Sequence, residues 1–546
     1  MKKNIPKRMK ANFLKRSLRI VFLFISVAVL LNSCYKDRLG YDKIAGGTWN
    51  PDLAAPLIYA DLDMTYMTRN SNDTWKEDPD GLMSLIYEEK GISDFAHDVI
   101  SIPDQQMDTT VNLVLPPGMS VGDSTSKFFL VNSEFHGNNN ERIDSILLKS
   151  GTMTLELTTD INQDGYIEVI IPTMTKYGVT FRERVEFTYN GTSPITKSVT
   201  IPVQDYYMVF TNNGNTNILQ QYLKVSVTKT GNPDNSPYTF QLKQKIESIE
   251  YHVAFGYVGV HTFTVNETKV PISLFDNQQS GSIMMEDPHL YVTLRNSYGM
   301  PSNITFTEFY AERDGVKKNI TSTLLPTLPV NYPSLSNVGG YDTTVYHFHR
   351  GNSNIVDVIN MNPKKLVFKG DFETNPTAAV VPNFVLDTSH IAFDVLLELP
   401  FYGRALSIDL RDTSDVNIDA STNIDYLESL TLNLNTSNGF PVDAYLQIYF
   451  ADSNGVAYDS VFSTGRQMVR AGIVGPAPDY RVTSKTHYMA KIPLSQSQLD
   501  SYKKAEKMII SAQVSTIDQG KKVVKIYSDY SVYVELAARA KYKTDF

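Results

Sequence analysis

Asp160-Ile161-Asn162-Gln163-Asp164-Gly165 spaces side-chain oxygens at alternate positions and ends on glycine. That is the first half of a calcium-binding loop, which closes with a bidentate acid at the twelfth position. Here the twelfth residue is Ile171. Asp160, Asn162 and Asp164 are therefore a weak calcium candidate, and the segment reads more naturally as a solvated turn. His347 and His349 lie two apart, so both face one side of a strand. Two imidazoles can begin a transition-metal site, but the neighbouring text offers no third ligand. No other metal or cofactor is expected. The chain has no G-x-S-x-G elbow, P-loop, H-E-x-x-H or G-x-G-x-x-G, so no enzymatic activity is expected from local motifs. A glycan hydrolase needs only two acids about 5–10 Å apart, and 59 acidic residues nominate no particular pair.

The single cysteine, Cys34, is placed by what precedes it. Residues 1–33 begin with Lys2, Lys3, Lys7, Arg8, Lys10, Lys15, Arg16 and Arg19. The apolar run Ile20 to Leu31 follows. It is shorter than the roughly 20 residues of a membrane span and suits the core of a cleavable export signal. Met9 is an equally suitable start. The run ends Leu31-Asn32-Ser33-Cys34, which resembles a bacterial lipobox. The resemblance implies a covalent diacylglycerol and N-acyl group on Cys34. Lys36 and Asp37 behind it resemble the surface-export signals of Bacteroidota lipoproteins, although Arg38 departs from their acidic pattern. Trp49-Asn50-Pro51, followed by Pro56-Leu57, is similar to the mature start of such proteins. The expected location is the outer membrane, lipid-anchored and facing the cell exterior.

Removal of the signal takes away eight basic residues and leaves 42 against 59, a balance of −17 in place of −9. An acidic body argues against nucleic acid as a partner. Five triplets resemble O-glycosylation sites of exported Bacteroidota proteins and nominate Thr109, Ser124, Ser145, Thr343 and Ser460, with occupancy expected on a loop.

The elements that must carry these residues are strands. Alternating runs such as Tyr291-Val292-Thr293-Leu294 and Leu430-Thr431-Leu432-Asn433-Leu434 are separated by Gly, Pro, Asn and Asp. That is the text of antiparallel sheets with one wet face. Helical periodicity is confined to Gln496–Met508. Ser495 and Gln498 form a capping box there, and Leu499, Tyr502 and Ile509 share a side.

Three landmarks recur at a spacing near 140. Asn296-Ser297-Tyr298-Gly299-Met300-Pro301 returns as Ser437-Asn438-Gly439-Phe440-Pro441, with a fainter copy at Asn162. Gly214-Asn215-Thr216-Asn217-Ile218 matches Gly351-Asn352-Ser353-Asn354-Ile355, with an echo at Ser497-Gln498-Leu499. Long strands are expected at Tyr251–Phe255, Phe393–Leu397 and Tyr533–Leu536. The expected fold is all-β and mainly antiparallel, with tandem β-sandwich modules and one or two short helices. Modules are expected at 116–260, 261–404 and 405–546, preceded by a tether and edge region at 34–115. Such a protein is expected to be a binding or scaffold component of an envelope complex. A glycan- or surface-ligand-binding lipoprotein is the alternative.

Overall fold

The computed structural model describes residues 48–49, 52–64, 74–416 and 426–545, apart from positions 94, 100, 139–140, 213, 276–279 and 378. Cys34, Lys36 and Asp37 lie outside the described residues, and so does the side chain of Trp49.

The fold is all-β and antiparallel. Its least expected feature is the N-terminal segment. It contributes β1 (Asp52–Asp63), β2 (Thr74–Glu77), β3 (Met83–Ile92) and β4 (Gln105–Leu113). These strands belong to three different sheets, where β1, β2 and β4 are edge strands and β3 is internal.

The first group of strands is β5 (Ser124–Glu134), β6 (Arg142–Thr159), β7 (Asp164–Lys176), β8 (Val179–Phe187), β9 (Ile195–Pro202), β10 (Ile218–Thr228) and β11 (Tyr238–Tyr257). They pair as β4–β11–β6–β9 and β8–β7–β10–β5. The second group is β12 (Thr262–Pro271), β13 (His289–Asn296), β14 (Ser302–Arg313), β15 (Asp342–Phe348), β16 (Lys365–Thr374), β17 (Asn383–Leu386) and β18 (Ile391–Pro400). One of its sheets runs β15–β13–β18–β3–β2 and the other contains β12–β16–β14. The short β17 pairs with β11 and ties the two groups together. The third group is β19 (Ile408–Asp415), β20 (Leu427–Asn438), β21 (Val442–Ala451), β22 (Thr486–Pro493), β23 (Lys507–Thr516) and β24 (Ser531–Tyr542). It forms β1–β24–β20–β22 and β19–β23–β21.

One pattern recurs in all three groups. A long strand (β11, β18 or β24) lies between a strand of its own group and one N-terminal strand (β4, β3 or β1). The N-terminal segment visits the groups in reverse order, third to first, before the chain runs back through them. No group is complete from a contiguous stretch of sequence.

The recurrent asparagines explain the corners between sheets. Asn296 and Asn438 are almost fully buried. Each accepts a hydrogen bond from the backbone N–H two residues on, at 2.9 Å, an Asx turn that reverses the chain. Asn438 Nδ2 also donates to the carbonyls of Phe440, Val442 and Arg470. Gly299 beside the first corner has no room for a side chain. A Cβ there would sit 2.1 Å from the Phe384 ring.

The Gly-Asn-x-Asn-Ile landmark folds in two ways. Asn217 leads into β10, whereas Asn354 leads into a helix, α1 (Ile355–Ile359). The asparagine does the same work in both. Asn217 bridges the Glu141 carbonyl and the Ile143 N–H, and Asn354 bridges the Asn319 carbonyl and the Thr321 N–H. The capped helix is α2 (Gln496–Lys504), with the Ser495/Gln498 box in place. It ends before Met508, because Lys507 already pairs in β23, and Ile509 therefore lies in a strand.

One apolar core runs through the first and second groups, from Leu157, Ile171 and Phe240 to Phe263, Phe372 and Leu397. The third has its own, around Leu434, Phe450, Ile492 and Leu536. Met64, Met83, Phe440, Tyr527 and Tyr530 fill the seam between them.

Candidate functional site

β13 alternates strictly. Leu290, Val292 and Leu294 are buried, so His289, Tyr291, Thr293 and Arg295 face outward. Its neighbours extend this face in rows fixed by register. The first row is His289 and Glu398. The next rows are His347, Tyr291 and Leu396, then Val345, Thr293 and Asp394, then Thr343, Arg295 and Ala392. Rows two residues apart advance about 7 Å, so the strip is roughly 20 Å long.

At one end, His289 Nδ1 and His347 Nε2 share a hydrogen bond at 2.9 Å. His289 Nε2 lies 3.3 Å from Asp287. Tyr291 stacks on His347 at 4.3 Å and 9°, and the His349 ring lies 4.8 Å from that of His347. Burial, and then the positive charge that His289 and His349 can carry, hold the His347 imidazole below its ordinary range. Lys76 donates to Glu398 at 2.6 Å, and that bond raises the lysine pKa. Arg295 bonds Asp394 in the middle of the strip. At the far end is an open cleft of about 490 Å³ lined by Phe95, Arg295, Ser297, Tyr341, Thr388 and His390. Tyr341 is 60% exposed. Phe95 meets His390 edge-on at 5.2 Å.

Such a face can stack flat rings on its aromatics and bond hydroxyls through its imidazoles, carboxylates and guanidinium. Asp394 and Glu398 lie four residues apart along β18, about 13 Å. That exceeds the separation used in glycoside hydrolysis, and each acid already holds a cation.

His347 and His349 therefore have a third imidazole beside them, His289, from another strand. The signal in the sequence was the alternation His289-x-Tyr291-x-Thr293-x-Arg295. Among the described residues no three His, Cys, Asp or Glu side chains converge as a metal site.

The turn that carries the weak calcium candidate is buried at Asn162 and Gln163 rather than solvated, and its side-chain oxygens are taken up within the fold. Asp160 Oδ1 accepts from the Thr239 N–H, Asp164 Oδ1 from the Tyr189 N–H, and Asn162 Oδ1 from the Tyr238 hydroxyl. Asn162 Oδ1 accepts a second bond, from Gln163 Nε2 at 2.9 Å, so the three oxygens satisfy four donors of the fold. The glycosylation candidates all lie in strands, not on loops. Thr109 and Ser460 are half-buried, and Ser124 and Thr343 are exposed. Ser145 is buried and accepts a bond from the Tyr207 hydroxyl, so it is not accessible to a transferase.

Among the described residues no helix is long and apolar enough to cross a membrane. No family model matches the chain, and no curated protein is similar to it. A solved structure of a protein from Parabacteroides distasonis, described as secreted, overlaps 51% of this chain and 82% of its own at 12% identity and a TM-score of 0.29. A structure of infectious bursal disease virus, Gx strain, overlaps 82% of each chain at 8% identity and a TM-score of 0.12. Superpositions of this quality do not establish a common fold.

Proposed function

We propose that this chain is a lipid-anchored binding protein of a Bacteroidota-type outer membrane, facing outward, and that the outer face of the second sandwich holds its ligand. The observation that carries the reading is the roughly 20 Å strip from His289 to Tyr341, with ring faces at its ends and polar groups between. Its ligand is an extended, hydroxyl-rich chain, a glycan in the first instance. Anchorage rests on the Leu31-Asn32-Ser33-Cys34 motif. Support for its geometry comes from the first described residues. Thr48–Trp49 pair with Thr544–Asp545, so an anchor at Cys34 would join the molecule at its third sandwich and leave the strip on the next one.

Two measurements test this. The protein is screened on an array of host and dietary glycans, and hits are titrated by calorimetry against Tyr291→Ala and Arg295→Ala. A loss of tenfold or more in affinity in either variant is expected, and an array without signal ends the glycan assignment. Cys34→Ala is expected to free the protein from membranes, and its retention there would refute lipid anchoring.

The binding or scaffold role in an envelope complex is the second reading. It is favoured by the apolar residues exposed at the β7–β8 turn of the first sandwich, Tyr177 and Val179. It predicts co-purification with a barrel protein after mild detergent extraction.

A further inference from the structure

The strand β5 (Ser124–Glu134) is an edge. It pairs with β10 in unbroken register over its whole length, and among the described residues nothing pairs with its other side. Natural edges are guarded by charge, proline, bulges or a covering element, because unpaired N–H and C=O groups template another strand. Other edges of this sandwich follow that rule. β8 carries Arg182, Glu183, Arg184 and Glu186, and β9 carries Lys197 and ends on Pro202. β5 has no proline and no bulge. Its centre is Phe128-Phe129-Leu130-Val131. Phe129 and Val131 lean on the core, while Phe128 and Leu130 point to solvent, 59% and 56% exposed. Leu130 lies opposite Tyr222 of β10, which is also exposed. The outer stripe therefore continues onto β10 at Tyr222, while Phe128 lies opposite Lys224, whose ammonium is 5.8 Å from its ring.

We infer that this edge is where a second copy of the chain docks, β5 against β5, antiparallel about a two-fold axis at Phe129. Three features select a copy of the same chain as the occupant. Phe129 is the midpoint of the strand, so this register pairs every residue. It sets Phe128 opposite Leu130 of the copy, and Leu130 opposite its Phe128. That doubled pair covers the exposed stripe on the outer face, where cross-strand apolar pairs stabilise a sheet. Polar meets polar outside the centre: Ser126 faces Asn132, Thr125 faces Ser133, and Ser124 faces Glu134. Lys127 faces Val131, and its ammonium already lies 5.0 Å from the Phe129 ring, so no like charges are opposed. The run of strands β8–β7–β10–β5 would continue across the axis into its mate, an isologous contact that closes on itself.

The test uses the full-length protein in mild detergent, with mass measured by light scattering over a concentration series. A dimer is expected in the micromolar range, and Leu130→Lys should weaken it at least tenfold. Leu130 is exposed, so this change spares the fold. Val316→Lys, an equally exposed position elsewhere, should leave the dimer intact. In a Cys34→Ala background, Phe128→Cys/Leu130→Cys places each thiol opposite a thiol of the copy, and mild oxidation should yield a covalent dimer. A wild-type monomer throughout the series overturns the proposal. So does a dimer that Leu130→Lys leaves unchanged, or the absence of cross-link in the double-cysteine protein.

Discussion

The first and third sandwiches are built to one plan but are sealed differently. Leu155, Leu157, Ile167 and Val169 in the first have no exposed surface, whereas Leu432, Leu434, Ile492 and Leu536 in the third keep 5 to 9%. The first shares its core with the second and is tied to it by β17. The third packs on the others across a small seam, is joined to the second by a short pairing of Tyr402–Gly403 with Val524–Lys525, and is closed by the first long strand of the described chain. Plan alone therefore does not set stability. How much apolar surface each unit shares with its neighbours does.

The largest effect should come from removing β1. Without residues 52–63, β24 loses one of its two neighbours and a strand's length of hydrogen bonds. At about 0.5–1.5 kcal/mol net for each bond, the loss is on the order of 5 kcal/mol or more. Amide exchange should then accelerate throughout β20, β22 and β24 while β6 and β11 stay protected. A uniform loss of protection in all three sandwiches would show that they unfold as one unit and would break the comparison.

Next in size are core truncations. Phe240 is fully buried, 5.7 Å from the Phe187 ring, and Phe240→Ala should cost about 3–5 kcal/mol. Leu434→Ala sits where the surroundings can relax, and about 2–3 kcal/mol is expected. Urea titrations followed by exchange at each sandwich would read both. Equal costs would mean that the looser third core is packed as firmly as the first.

The corners sharpen the comparison from the opposite direction. Asn438 makes more bonds than Asn296, which accepts one and donates one to the Asn331 carbonyl. Asn438→Ala should cost about 2–3 kcal/mol and Asn296→Ala about 1–2 kcal/mol. The third sandwich thus leans more on its corner than the second does. Thermal unfolding of the two variants checks the order, and a reversal would remove that distinction.

Strand alternation, the corner asparagines and the α2 capping box were all legible in the residues, because each is a local pattern with a local cause. The path of residues 52–113 was not. Asp52–Asp63 pairs with Ser531–Tyr542 at the far end of the chain, and no periodicity records which distant strand a segment will meet. The Gly-Asn-x-Asn-Ile repeat shows a subtler limit. The asparagine bridge is conserved in geometry, while the residues after it become a strand in one place and a helix in the other. The candidate site was half visible. His347 and His349 announced one strand face, but His289 comes beside them only through the β13–β15 register.

The smallest expected effect concerns that imidazole cluster. His347 is held below its ordinary range by burial, then by His289 and His349, while Asp287 and Glu398 pull the other way. The unfolded chain takes up this proton near pH 6.5, and the folded chain takes it up only at lower pH. Between those two points the unfolded state binds more protons, so stability falls as pH drops below about 6.5 and levels off once the folded imidazole is also charged. The transition that reports the second sandwich should therefore melt at a lower temperature at pH 5.5 than at pH 7.5 from this source. His347→Gln should remove that part of the pH dependence and leave the transition of the third sandwich where it was. If instead the third sandwich alone tracked the loss, the coupling between sandwiches would run through the Met83–Tyr530 seam rather than through the shared core. The two regions would then be thermodynamically closer than their packing indicates.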